Sequence, residues 1–168
     1  ASGDPSRAVP GRQLGVLAEL ADPGQAGMLA AALARQRLRP AEVVVSVAAG
    51  DHRQHRAVMT ALRPLAAAGT EISITPAAGP AAAAAAARSP WLAPWPPGPE
   101  PSCWYLLDLA CARECSRADA VGFRGWPGYR YQAAAPALAR QDLLAPGAPP
   151  VPDWGARGLR TLTVGDPA

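Results

Sequence analysis

The chain has 168 residues, with 16 basic against 13 acidic side chains and a net charge of +3. That length suits one domain with a real core and is short for two. Every basic residue is Arg, and these are scattered from Arg7 to Arg160 rather than gathered on one element. No basic stripe with interleaved aromatics exists, so a nucleic-acid partner is not expected. No apolar run is long enough for a transmembrane helix. The opening ASGDPSRAVPGRQ lacks the basic-then-apolar pattern of a signal peptide. The chain therefore reads as soluble and cytoplasmic.

Residues 1–12 read as a flexible lead-in. LGVLAEL (Leu14 to Leu20) is a short apolar run, expected as the first strand. Asp22-Pro23-Gly24 turns the chain and starts a helix, since Asp caps and Pro tolerates the first turn. Gly27 to Arg37 carries Met28, Ala32 and Leu33 at helical spacing, with Arg35 and Arg37 where the helix dipole favours cations. Pro40 stops it. EVVVSVA (Glu42 to Ala48) is the strongest strand, and its continuous Val run predicts burial on both faces, as in a parallel sheet. His55 to Ala68 predicts a second helix containing Pro64, and EISIT (Glu71 to Thr75) a third strand.

The Ala81–Arg88 run predicts a third helix and Trp91 to Trp95 a fourth strand. A proline loop, Pro96 to Pro101, leads into a helix over Ser102 to Arg117 with Trp104, Leu107, Cys111 and Cys115 near one face. The three cysteines, Cys103 included, lack the C-x-x-C spacing of a zinc site and read as small apolar groups in a reduced core. Asp108 is expected to pair with Arg113 or another Arg nearby. Ala120 to Phe123 reads as a strand, Tyr129 to Gln132 as a sheet edge, Ala137 to Leu144 as a short helix, and Leu159 to Val164 as a last strand.

Strands alternating with helices predict an α/β domain of three layers around a mainly parallel central sheet. The boundaries drawn are 13–145 for this domain and 146–168 for a loop-rich C-terminal segment carrying the last strand. Ligands of such sheets bind beyond the carboxyl ends of the strands. That edge comprises Ala21–Gly24, Ala48–His52, Pro76–Gly79 and Trp95–Cys103.

LGVLAELADPGQAGMLAAALARQRLRPAEVVVSVAAGD resembles the opening of the family-2 glycosyltransferases of GT-A (Rossmann-like) fold, with Gln36, Pro40 and Glu42 standing in a Q-x-x-x-P-x-E stretch. CWYLLDLACARECSRADAVGF is similar to a segment of actinobacterial members, in which Trp-Tyr, a helix and S-G-A-D-x-V-G follow the metal-binding acids. Trp104-Tyr105, Ser116, Ala118-Asp119 and Val121-Gly122 carry the match. The resemblance implies transfer of a sugar from a nucleotide-sugar donor. It also implies a divalent cation, Mg²⁺ or Mn²⁺, held on the donor diphosphate by a D-x-D element after the fourth strand.

The residues in those places depart from the pattern. Glu100-Pro101-Ser102-Cys103 occupies the D-x-D region, so Glu100 is the single candidate metal ligand. Ala48-Ala49-Gly50-Asp51 leaves Asp51 as the acid after the second strand. The candidate donor-binding set is Asp22, Asp51, Glu100, Trp104 and Tyr105, and Asp153 is the candidate catalytic base. Each has a structural reading beside it: turn residue for Asp51 and Asp153, solvated loop acid for Glu100, packing for Trp91, Trp95 and Trp104, helix start for His52 and His55. Two functions follow. One is a glycosyltransferase-like domain with weakened or lost catalysis, metal-dependent only if its donor site works. The other is a non-catalytic domain of the same fold that binds a protein partner or another domain. Neither G-x-G-x-x-G nor G-x-x-x-x-G-K-[ST] occurs, which sets aside other nucleotide-binding α/β folds.

Overall fold

The computed structural model describes residues 14–22, 24–47, 52–76, 79–96, 100–123, 136–144, 146–147, 158 and 161–164. The first three strands are β1 (Leu14–Leu20), β2 (Glu42–Val47) and β3 (Glu71–Pro76), joined by helices α1 (Gln25–Ala34) and α2 (His52–Ala67). Helix α3 (Gly79–Ala86) leads to β4 (Trp91–Pro94), and α4 (Tyr105–Ser116) to β5 (Ala120–Phe123). Strand β6 (Pro136–Arg140), the short α5 (Gln141–Leu144) and β7 (Thr161–Val164) complete the set. The seven strands form one sheet in the order β3-β2-β1-β4-β6-β5-β7. Every pair is parallel except those made by β6, which runs antiparallel to β4 and β5. This is the expected α/β domain with a mainly parallel sheet, and β7 of the C-terminal segment belongs to it.

The layers follow from handedness. The chain steps from β1 to β2 to β3 in one direction, then crosses back to place β4 on the other side of β1. Right-handed crossovers put helices on opposite faces when the direction of travel reverses. So α1 and α2 bury Leu29, Leu33, Val58 and Leu62 against one face, on Val16, Val43 and Val45, and Leu106 and Leu109 of α4 join the same cluster although β4 to β5 travels in the opposite direction. The alanines of α3 pack on Leu17, Val44 and Leu92 on the other. All six residues of β2 are buried, as its Val run predicted.

A buried carboxylate ties the reversal together. Glu42, 3% exposed, accepts the backbone N–H groups of Arg88 (2.8 Å) and Ser89 (2.9 Å) on the same Oε2 atom. This fastens the α3–β4 turn to the start of β2. Gly15 pairs with Glu42 in register, and a Cβ there would lie 2.9 Å from the Ser89 Cβ and Oγ. Glycine is what lets the turn pass under β1. Pro40 of the same sequence stretch accepts a hydrogen bond from the buried Thr70 hydroxyl at 3.1 Å, joining the entry of β2 to that of β3.

Several expectations are corrected. Residues 137–140 are strand, not helix: Ala139 and Arg140 pair with Leu92 and Trp91, and Leu138 and Ala139 are buried between β4 and β5. Sheet pairing on both sides overrides the helical leaning of a PALAR sequence. Helix α1 ends at Ala34, so Arg35 is its C-cap and Arg37 lies beyond it. Met28 points outward and is exposed. Helix α4 buries Tyr105, Leu106, Leu109 and Ala110, so the face shared by Trp104, Cys111 and Cys115 is the outer one. The Cys111 and Cys115 thiols are exposed and are not core packing, while Cys103 is half-buried. Arg113 pairs with Glu114 and lies 4.4 Å over the Trp91 ring, in place of Asp108. The edge expected at Tyr129 to Gln132 falls outside the described residues.

The S-G-A-D-x-V-G match also acquires reasons. The Ser116 hydroxyl donates to Ala112 O (2.7 Å) and accepts from Ala118 N (3.2 Å) as α4 ends. Asp119 pairs with Arg140 at 3.1 Å. The Arg140 guanidinium also holds the Asp142 carboxyl below its usual range, chiefly through their hydrogen bond. Val121 is buried, and the register shifts between Val121 and Gly122. Arg117 stands in the pattern's Gly place and takes a left-handed φ of 52°.

Two outcomes follow for stability. Glu42→Ala leaves one buried and one half-buried N–H group unpaired and is expected to cost about 3 kcal/mol in urea unfolding. Arg117→Gly removes the left-handed strain at the helix end and is expected to stabilise by about 1 kcal/mol, read as a rise in the thermal midpoint.

Candidate functional site

The sheet defines where a ligand would sit. Strand order reverses between β1 and β4, and the crevice beyond the carboxyl ends at such a reversal is where α/β sheets bind ligands. The two strands are unequal at this edge. The last β1–β4 pair is Leu17 with Pro94, and β1 runs on three residues further, Ala18 to Leu20. Trp95 closes the notch from the β4 side, its N–H donating to Leu17 O at 2.6 Å.

The sequence-predicted residues distribute unevenly around it. Asp22 stands directly beyond β1. Its Oδ1 accepts from Gly24 N at 2.8 Å and its carbonyl from Gln25 N at 3.0 Å, while the Gln25 side chain accepts Ala21 N at 3.1 Å. Asp22 thus builds the turn that opens α1, and its exposed carboxylate stays at the crevice. Glu100 is paired with Arg35, at the opposite end of α1. Ten helical residues separate the two places, a rise of about 15 Å. That is far beyond the span of one divalent ion's ligands.

Tyr105 is 5% exposed, and its ring meets Trp95 edge-on with centroids 5.9 Å apart. It supports the wall of the crevice from behind. Trp104 is exposed, with the Arg37 guanidinium 5.2 Å from its ring centroid. Trp91, Trp95 and Trp104 each have a different partner and form no common stacking wall. Asp51 and Asp153 lie outside the described residues. Among the described residues, no group of three His, Cys, Asp or Glu side chains could hold a metal ion.

The segment from Glu100 to α4 is positioned by Gln36, 8% exposed at the end of α1. Its Nε2 donates to Ser102 O (2.9 Å) and its Oε1 accepts from Leu106 N (3.2 Å). Arg37 N donates to Cys103 O at 2.8 Å beside it. One amide thereby satisfies a free N–H of the first turn of α4 and a loop carbonyl at once. Gln36 and Glu42, both singled out by the family resemblance, are braces beneath the site.

One residue at the crevice was missed by sequence reasoning. Glu19 is the single exposed residue of β1, an interior strand. Its signal was present: it is the lone charge in LGVLAEL.

No family model matches the chain, and no curated protein matches it in sequence. Solved structures do match. The mannosyltransferase PcManGT from Pyrobaculum calidifontis, in complex with GDP-Man and Mn²⁺, superposes with a TM-score of 0.62 at 15% identity, over 95% of this chain and 58% of that one. TarS 1–349 of S. aureus in complex with UDP-GlcNAc gives 0.58 at 16% identity, over 79% of this chain and 46% of TarS. A mycobacterial protein gives 0.56 at 14% identity, over 92% of this chain and 66% of that one. The chain therefore spans about half the length of these two transferases. The fold is that of GT-A-like glycosyltransferases. No helix among the described residues is long and apolar enough to cross a membrane.

Gln36→Leu should remove both bonds that seat the loop before α4. The expected loss is about 2 kcal/mol of unfolding free energy, with faster proteolytic cleavage between Trp95 and Trp104. Glu100→Ala, which breaks only an exposed ion pair, should shift the same unfolding curve by less than about 1 kcal/mol.

Proposed function

We propose that this chain is a glycosyltransferase-like domain related to nucleotide-sugar-dependent transferases, in which metal-dependent transfer has been weakened or lost. The observation that carries this is the connection from β4 to α4. It contains one acid, Glu100, whose carboxylate is taken up by Arg35. Directly after β4 stand Trp95 and Pro96, neither of which can bind a cation through a carboxylate. A divalent ion that draws charge from a departing diphosphate needs several oxygen ligands from the protein and substrate together. In this reading the donor lies over Asp22 and Asp51 at the carboxyl edge of the sheet, and Asp153 is the candidate base. Mg²⁺ or Mn²⁺ is not required for binding. The GDP-Man and UDP-GlcNAc named with the two matching transferases are the donors to try first.

A second reading, a non-catalytic protein-interaction or scaffold domain on the same fold, draws on one observation. Trp104 presents its ring at the surface with Arg37 stacked on it, and Trp and Arg are enriched among the residues that anchor protein interfaces.

Calorimetric titration of GDP-mannose and UDP-GlcNAc, each with and without Mn²⁺, separates these. The expected result is binding of at least one donor with an affinity that Mn²⁺ changes less than about threefold. Binding that appears only with Mn²⁺ and disappears in Glu100→Ala would restore a metal-dependent transferase. Folded protein that binds neither donor would leave the interaction domain as the function.

A further inference from the structure

Helices α1 and α2 join neighbouring parallel strands in one direction of travel, so they lie side by side on one face of the sheet. Their inner sides are taken up by the core, through Leu29 and Leu33 of α1 and Val58, Leu62 and Leu65 of α2. Their outer sides carry charge of one sign. Neither helix contains an acid. From Gln25 to Gly69 the acids are Glu42, buried at the start of β2, and Asp51, outside the described residues. Six arginines stand in the same stretch.

On α2, Arg56, Met59 and Arg63 follow at i, i+3 and i+7, which sets them on one stripe. All three are exposed. Arg56 and Arg63 make no ion pair among the described residues. A rise of about 10 Å separates them. Arg39 continues the row, its guanidinium donating to Ala68 O at 2.7 Å where the helix ends. On α1, Met28, Ala31 and Arg35 repeat the same spacing and are likewise exposed. Met28 is 67% exposed and Met59 45%. With Trp104, which Arg37 covers just beyond α1, they are the exposed large hydrophobic side chains among the described residues. The α3 side of the sheet has none of them.

We propose that the outer face of α1 and α2 docks on an anionic lipid bilayer. Acidic headgroups present phosphate to every guanidinium on a broad surface, and Arg matches phosphate in a fork of two hydrogen bonds. Methionine is unbranched and adaptable, so Met28 and Met59 can settle between headgroups without a shaped pocket to receive them. Trp is at home at the same depth. An acidic protein would answer the charge, but it would have to supply pockets for two separated methionines. The apolar side of α2 is spent on the sheet, so attachment is chiefly electrostatic, peripheral and reversible, unlike that of a helix that sinks its own apolar side. Helix α4 bounds the face, with Asp108 and Glu114 exposed on it. The docking face is independent of whether the crevice binds a sugar donor.

Vesicle co-sedimentation tests this with the unaltered chain. One set of vesicles is phosphatidylcholine alone and the other contains about one-third phosphatidylglycerol. The expected result is binding to the anionic vesicles at low salt, none to phosphatidylcholine, and release at about 0.5 M NaCl. The double variant Arg56→Gln/Arg63→Gln should bind about 25-fold more weakly, at about fivefold per arginine, with an unchanged thermal midpoint because both side chains are exposed. Met59→Ser should weaken binding about threefold and leave its salt dependence as it was. Arg88→Gln, an exposed arginine just after α3 that pairs with Glu71, should stay within about twofold of the unaltered chain. Equal binding to both kinds of vesicle, or anionic-vesicle binding that the double variant does not weaken, overturns the proposal. So does a loss in Arg88→Gln as large as in the double variant. A folded chain that ignores vesicles but binds polyglutamate through Arg56 and Arg63 overturns the bilayer and gives the face to an acidic protein. Binding to neither overturns the docking face.

Discussion

A single buried carboxylate governs the architecture. Glu42 sits at the first position of β2 and spends one oxygen on two backbone N–H groups of the turn that enters β4. Desolvating a carboxylate is unfavourable unless its oxygens are bonded. Once it is buried there, the α3–β4 turn has no freedom to sit elsewhere. Gly15 removes the one Cβ that would block the passage. Together they bring β4 against β1, and that placement creates the reversal of strand order from which the crevice follows. Gln141 reinforces it from the far side, its N–H bonding Pro90 O and its amide donating to Ala84 O and Ala87 O.

The crevice and the loop that serves it are governed by different braces. Its back wall is Trp95 against Tyr105, an edge-on aromatic contact that fixes the first residue beyond β4. From Glu100 onward the segment lies beside α1, where Arg35 takes Glu100 and Gln36 takes Ser102 and Leu106. These contacts seat a proline-rich sequence against the end of α1. The geometry there draws on an amide and on aromatic packing. The carboxylates that remain at the crevice, Asp22 and Glu19, belong to β1 and its exit.

Much of the fold was legible because its signals are local. The Val run of β2 announced burial on both faces, and β1 and β3 flank it on either side. Pro40, Asp22 and the alternation of EISIT marked ends and strands through backbone chemistry that neighbours do not change. Legibility failed where tertiary contacts reassign a weak local preference. PALAR has the residues of a helix, yet it lies between β4 and β5 and takes their extended conformation. On α4, a stripe of Trp104, Cys111 and Cys115 was as apolar as the stripe of Tyr105, Leu106 and Leu109. Periodicity alone could not say which would face the sheet.

The sequence by itself determined the alternation of elements, the parallel core and the presence of a single acid, Glu100, between β4 and α4, because each depends on residue type or short-range spacing. Tertiary structure alone decided which of the few acids share a place. It set Glu100 against Arg35 at one end of α1 and left Asp22 at the other. It also aligned Glu19 with Ser46 and Thr75, residues 27 and 29 positions apart in the chain, through the register of three strands. Register is a property of paired backbones, fixed by the buried faces they share, and no single strand carries it.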